Sequence, residues 1–386
     1  MDGYLVHSAV LARRLDVLLL PRQVLLAGPT GDEVGVLSFV HGVPEASTVV
    51  GVTYAQDKRL RRKLLNLAGL STPPGITFSS RGEMSLQRFI SRHGFPVVLK
   101  EAIGENPSPK IDKISSDQEL LSAISRMKRR SEDHLSPARS LVTSAYAENS
   151  LNVHEDEQGH RVAAPGARLL VEKHVSGRYI RCLVCGGRFL AAIEKTAATP
   201  EETWMLVERL HDDFKDVALR ATMEIPGLAV ASVDLVVGDP TLCREGQAYF
   251  VVELCERPRL ESYLIASPAL APSLADRFLC HQAEQSSVRL QTPADVVATF
   301  MRAESLTEPQ LLLPVLRDTC NALGIVGFAR PGDQTSGIVE GHLQGKPSTI
   351  ARVIEALMSG THFGQRAMAI EAAQTPLESY ADFTVA

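Results

Sequence analysis

A long apolar run is missing from the opening stretch of this chain. MDGYLVHSAVLARRLDVLLLPRQ is interrupted by two arginines and an aspartate, which leaves it too short and too charged for a membrane-spanning helix or a secretory signal. A dominant charge is missing too. The net charge is -5, so the chain shows no electrostatic footprint for nucleic acid and no pull toward a membrane surface. Cysteine is sparse and unpatterned: Cys182, Cys185, Cys243, Cys255, Cys280 and Cys320 are scattered, and Cys182 and Cys185 fall in what reads as one strand rather than a metal knuckle. They are expected as reduced thiols of a cytoplasmic protein. Tryptophan occurs once, at Trp204, where packing is a better reading than a stacking platform for bases. His154 and His160 stand in no CxxC or HExxH spacing and read as solvated loop residues.

What is present is a long chain with clear local patterning. Its 386 residues exceed the ~100–200 residues of a typical domain, so two or three domains are expected. Residues 1 to 55 read as short strands and turns through QVLLAG, PTGDE, EVGVLSFVHG and STVVGVTYA, on alternation and Gly/Pro punctuation. A basic helix is expected over 58–69, and amphipathic helices in SSRGEMSLQRFISRHG and in SSDQELLSAISRMKRR, the latter behind a Ser/Asp cap. From 131 to 166 the chain is polar, with LVTSAYAE read as a strand and NVHEDEQGHRVAAPG as a hairpin loop.

The chemistry concentrates in three apolar runs. VVELCERPRLESY, Val251 to Tyr263, sets Glu253 at the end of a β-type run, and SVDLVV upstream sets Asp234 in a neighbouring one. Two strand-borne carboxylates can share a cation, and magnesium usually sits between one or two carboxylates and the phosphates of a nucleotide. An acid among apolar strand residues needs a partner if buried, which favours the metal role over a turn-forming one. FPVVLK ends in Lys100, a point charge suited to a phosphate, with a solvated strand-end lysine as the competing reading.

The order of these pieces resembles the ATP-grasp superfamily, and within it the amino-acid ligases of the cyanophycin synthetase and glutathione synthetase type. QDKRLRRKLLNLAGLSTPPGITFSS from Gln56 looks like the family's opening segment, where an Asp-Lys pair begins a helix. FPVVLK is similar to the strand whose lysine meets the nucleotide phosphates. ARLLVEKHVSGRYIRCLVCGGRFLAAIEK, Ala167 to Lys195, matches the hinge strand and hairpin. The resemblance implies ATP and Mg2+ as cofactors, Lys100 and Arg181 as the catalytic charges on phosphate, and Glu172, Lys173, Val175 and Lys113 with Lys100 around the nucleotide. It implies Asp234, Glu253 and the position of Cys255 as the metal set. Three departures accompany it. The loop after Lys100, EAIGENPSPKIDKI, has one glycine and two prolines where glycines would let backbone N–H groups approach phosphate, leaving Lys110 or Lys113 to supply charge. Cys255 replaces the asparagine of an E-x-N pattern, and a thiol is a poor ligand for a hard cation. TAATPEETWM is a shortened substrate loop.

The last hundred residues resemble the acylphosphatase family from Val288 to Val385. A strand in VVATFMRAES, the run LLLPVLRDTCNALGIVGFARPGDQTSGIVEGHLQGKPSTIARVIEALMSG, and a last strand near SYADFTVA give the β-α-β-β-α-β order of a ferredoxin-like fold. The family's phosphate-loop arginine would fall near Leu313 and its water-orienting asparagine at Pro331, so a silent module is expected, shaping the substrate entrance or a homodimer contact. The fold class is therefore α/β and α+β: an abbreviated N-terminal lobe over 1–56, an ATP-grasp domain over 57–285 and an acylphosphatase-like domain over 286–386. The expected function is ATP-dependent joining of a small-molecule carboxylate and an amine, amino acids or peptides, through an acyl phosphate in small-molecule or peptide natural-product biosynthesis. The alternative is a pseudoenzyme that binds or scaffolds.

Overall fold

A computed structural model describes residues 2–30, 35–78, 83–103, 110–133, 154–155, 161–162, 169–196, 203–332 and 337–385. The expected strand at 141–148, the loop at 104–109 and the segment 197–202 lie outside them. The chain divides into two units. One is Met1–Ala46, Thr203–Leu206 and Arg257–Ala386; the other is Ser47–Glu202 and Val207–Glu256. These units group residues 1–46 with residues from 257 onward, where boundaries at 56 and 285 were expected.

The reason lies in strand edges. Asp16–Leu20 alternates buried and half-buried residues and pairs antiparallel with Ala369–Gln374, Val17 opposite Ala372. Val24–Gly28, Leu37–Val40 and Val43–Pro44 extend that edge into a nine-stranded sheet. A strand edge left open is a template for unwanted pairing, and here the N-terminal strands cover it. Within the same sheet, Val297–Glu304, Pro309–Ala322, Val326–Pro331, Val339–Gly345, Pro347–Ser359 and Ala369–Gln374 follow the β-α-β-β-α-β order. The expected last strand at the terminus is displaced: Phe383–Val385 adds parallel to Val326–Pro331 on the far edge. Leu313, expected in a loop before a helix, lies inside the helix Pro309–Ala322 and is buried with Leu312 and Leu316.

Two further segments depart from the strand reading. Asp2–Ala12 is a helix buried on most sides, with Gly3, Leu5, Val6, His7, Ala9, Val10 and Leu11 all buried, as expected of an apolar segment packed into a core rather than a half-buried strand. STVVGVTYA forms the helix Val49–Gln56, whose N-cap Thr48 accepts a hydrogen bond from the Gly51 amide. The β-branched run favours a strand locally, but the cap satisfies an otherwise orphaned N–H and wins.

Besides the short antiparallel pair His154–Glu155 and Arg161–Val162, the second unit contains two larger antiparallel sheets. In one, Gly75–Phe78, Leu169–Lys173, Val97–Glu101 and Lys110–Ile114 lie side by side. The helices Glu83–His93 and Asp117–Asp133 cover it, packing Phe89, Leu120 and Met127 onto Val97, Leu99 and Val171. In the other, Arg188–Thr196, Arg178–Cys185, Val230–Val237 and Tyr249–Cys255 follow in that order. Every residue of Val230–Val237 is buried. The helix Asp212–Met223 lays Phe214, Val217, Ala218 and Ala221 on this sheet, the spacing of one helical face. Asp57 caps the helix Lys58–Leu67 by accepting from the Arg59 amide at 2.9 Å, and Gly69, at φ 74°, ends it.

One position in the nine-stranded sheet tests its packing. Gly327 has φ +134°, and a Cβ there would lie 1.9 Å from the His342 carbonyl oxygen. Gly327→Ala is expected to lower stability by at least ~2 kcal/mol, through both backbone strain and overpacking. Chemical denaturation gives the number, and an unchanged midpoint would refute this account of the sheet.

Candidate functional site

Charged residues face inward where the two sheets of the second unit meet. Lys100 and Val98 lie on one face of Val97–Glu101, and the neighbouring strand sets Glu172 opposite Val98. That diagonal brings Lys100 Nζ to 2.7 Å from Glu172 Oε2. From the other sheet, the Val252 carbonyl accepts from Lys100 Nζ at 3.0 Å, and Glu253 Oε2 stands 3.7 Å away. Lys100 is thus buried, not the solvated strand-end lysine of the competing reading. Burial alone would lower its pKa, but the Glu172 and Glu253 carboxylates outweigh burial and move it upward.

The helix Lys58–Leu67 adds further cations. Arg61 pairs with Glu253 and donates to the carbonyls of Leu254 and Ala55. Arg62 pairs with Glu172 and donates to the Pro73 carbonyl at 2.6 Å. Lys58 is fully buried, and among the described residues its Nζ has no hydrogen-bond partner. Desolvation lowers the Lys58 pKa, with Glu253 opposing that shift and Arg61 and Lys100 reinforcing it. Desolvation pushes the other way at Glu253, yet Arg61, Lys100 and Lys58 together hold its carboxyl far below the usual carboxylate range. Its side chain is 16 % exposed.

A cavity of about 160 Å³ opens beside these groups, and Lys100, Lys113, Glu172, Lys173, Val175 and Glu253 all line it. Tyr179, Lys110, Asp112 and His174 complete much of the remaining wall. The Lys173 ammonium is engaged by the Phe95 carbonyl at 2.8 Å and the Gly94 carbonyl at 3.3 Å. Burial lowers the His174 pKa, which favours the neutral ring.

Arg181, Asp234 and Cys255 are not on this wall. Arg181, Asp234 and Glu253 are register partners across three adjacent strands, so the two carboxylates are neighbours as the sequence suggested. Asp234, however, is held at both oxygens: Arg181 Nε meets Oδ1 at 2.8 Å, Arg181 Nη2 meets Oδ2 at 2.9 Å, and the Tyr179 hydroxyl donates to Oδ2 at 2.5 Å. Burial and the Asp234 charge raise the Tyr179 pKa well above its ordinary value, keeping that donor protonated. Cys255 is buried opposite Ser232. Among the described residues, no group of three or more His, Cys, Asp or Glu side chains is placed to hold a metal ion. The expected set of Asp234, Glu253 and Cys255 therefore does not fit a magnesium ion in this arrangement, because both carboxylates are already paired with cations of the chain and the third member is a thiol.

Sequence reasoning missed Arg61, Arg62 and Tyr179 as neighbours of the site, and took Lys58 only as part of a helix opening. A signal was available. Lys58, Arg61 and Leu65 are the buried face of their helix, at offsets of three and seven residues, and charges on the face that carries the buried leucine call for buried partners.

No protein-family model matches the chain. A probable alpha-L-glutamate ligase from Desulfotalea psychrophila is 32% identical over 114 residues, 26% of this chain. The chain spans only 22% of the length of that curated relative. Among solved structures, D-alanine–D-alanine ligase from Bacillus anthracis, complexed with ATP, is 18% identical over 62% of this chain and 69% of that one, with a TM-score of 0.43. The ATP-grasp ligase PsnB, complexed with a minimal precursor, is 17% identical over 60% of this chain and 62% of that one, with a TM-score of 0.38. Scores of this size carry no argument about shape or activity.

The buried, unpartnered Lys58 gives a stability prediction with a definite sign. Its pKa is depressed in the folded state, so the unfolded chain binds more protons, and this residue's penalty eases as pH rises toward the ordinary lysine value of about 10.4. Lys58→Met is expected to gain at least ~1 kcal/mol at neutral pH by removing an unpaired buried ammonium. The gain should shrink in alkaline buffer. Thermal melts of both proteins across pH check it, and a gap that is constant or grows with pH contradicts the placement of Lys58.

Proposed function

We propose that the chain is an ATP-dependent ligase that joins a carboxylate to an amine, the substrates being amino acids or peptides, as part of small-molecule or peptide biosynthesis. The observation that carries this reading is the cavity on which Lys100, Lys113, Glu172, Lys173, Val175 and Glu253 converge. The resemblance implies nucleotide or metal contact for these same residues. The short match to a probable alpha-L-glutamate ligase supports the same reaction class.

In this reading a substrate carboxylate oxygen attacks the γ-phosphorus of ATP, ADP departs with the bridging oxygen's electron pair, and an acyl phosphate remains. The amine nitrogen then attacks the acyl carbon, loses a proton and expels phosphate. Such transfers depend on positioning and charge neutralisation more than on a dedicated nucleophile. Lys100 and Lys113 oppose the phosphate charge, while Glu172, Lys173 and Val175 form the wall for the nucleoside. Arg181, locked onto Asp234, braces the strand that carries Tyr179 instead of reaching phosphate. ATP is the cofactor this reading requires, with Mg2+ as its companion ion, and no step is assigned to the ion. The β-α-β-β-α-β segment at the C-terminal end supports the ferredoxin-like, acylphosphatase-like reading of that region, without a catalytic role.

A second reading, a nucleotide-binding protein without turnover, is favoured by the pairing of Glu253 and Asp234 with arginines. One assay separates the two. ADP release should require both a carboxylate and an amine when ATP is screened against pairs of amino acids, and Lys100→Ala should reduce it at least ~100-fold. ATP at ~100 times its dissociation constant should add ~2.7 kcal/mol of stability in either case. Stabilisation by ATP without substrate-dependent ADP release would favour the binding protein, and no stabilisation would refute both.

A further inference from the structure

The charges around Glu253 are arranged as though the cation were part of the chain. A hard divalent ion needs carboxylate oxygens not already committed to other cations. Asp234 is committed to Arg181 and Tyr179. Glu253 is paired with Arg61, whose guanidinium also donates to the carbonyls of Ala55 and Leu254 and is thereby held in place. Arg61 is buried, so this pair is not a solvated surface contact.

The balance of charge points the same way. Among the described residues, Lys100, Lys110, Lys113 and Lys173 line the cavity against Asp112, Glu172 and Glu253. Behind Glu172 and Glu253 stand Arg62 and Arg61, so cations outnumber carboxylates before any ion is added. Lys58, with Glu253, Arg61 and Lys100 as its neighbouring charges, is fully buried, and among the described residues its ammonium has no acceptor. A buried ammonium without an acceptor is costly unless an anion reaches it. The lysine ammonium groups on the wall can meet phosphate oxygens directly, while Arg61 stands behind Glu253 and neutralises it.

We propose that the Arg61 guanidinium takes the place of a divalent cation at Glu253, so that this site binds the polyphosphate of a nucleotide without a metal ion. The inference rests on the nucleotide reading above and adds to it that binding is metal-independent. It concerns the binding step, whatever ion accompanies ATP in solution.

Equilibrium binding of ATP to the full chain, measured by calorimetry in EDTA and again in excess magnesium, tests it. The parent is expected to bind with dissociation constants within about threefold in the two buffers. Arg61→Met should lose about tenfold or more in EDTA and recover in magnesium, because Glu253 is then released to hold the ion. If that variant does not fold, Glu253→Gln keeps Arg61 and removes its partner, and it should bind ATP in EDTA at least as tightly as the parent. A parent affinity that falls about tenfold in EDTA overturns the inference and leaves the nucleotide reading standing. Loss of about tenfold in EDTA by Glu253→Gln, or parent-like binding in EDTA by Arg61→Met, overturns it as well. No ATP binding by the folded parent in either buffer overturns the nucleotide reading and this inference with it.

Discussion

Lys100 ties together the two sheets of the second unit. Its ammonium leaves one sheet, meets Glu172 on the adjacent strand, and reaches the Val252 carbonyl and Glu253 on the other. A lysine can be buried only if its charge is matched, so the strands bearing Glu172 and Glu253 must close around it. Once they do, two carboxylates are brought into one place and need further cations of their own. Arg61 and Arg62, adjacent on one helix, supply these. The helix is in turn held by its Asp57 cap and its buried Leu65. Capping, helix packing and the charge lattice are therefore one set of mutual constraints.

A surplus of positive charge along the cavity wall follows, and the proposed nucleotide reading rests on it. Buried ion pairs stabilise weakly in themselves, since desolvation consumes most of the attraction. A wall with more cations than carboxylates is less favourable still when empty. Under the proposed nucleotide reading, an anion in the cavity offsets that excess of positive charge. The row Arg181, Asp234, Glu253 across adjacent strands shows the same logic with the opposite outcome: Asp234 is satisfied by Arg181 and Tyr179 and serves the scaffold.

Much of the second unit was legible because its signals are local. The apolar runs ending at Lys100 and Glu253 are strands, the basic segment from Lys58 is a helix, and Val230–Val237 is buried along its whole length, as a near-continuous apolar run implies. The failures were non-local. STVVGVTYA has strand propensity and forms a helix whose start is anchored far along the chain, the Thr48 amide donating to the Gly227 carbonyl at 2.8 Å. Asp16–Leu20 was readable as a strand, but nothing in its own residues specifies Ala369–Gln374 as its neighbour across most of the chain length. Leu313 was expected in a loop, and the apolar stripe Leu312, Leu313 and Leu316 places it inside a helix against the core instead.

By itself the sequence determined the strand and helix content around the cavity and the identity of its charged wall, because periodicity and residue type are properties of short segments. It also determined that Cys255 offers no oxygen ligand. Tertiary structure alone decided which charges meet. Arg61 and Glu253 are separated by 192 positions and Arg62 and Glu172 by 110, and a pairing at that distance depends on how two sheets and a helix close over a shared interior. Whether a carboxylate awaits a metal or is already answered by an arginine follows from that closure, since desolvation forces each buried charge to find its partner wherever the fold supplies one.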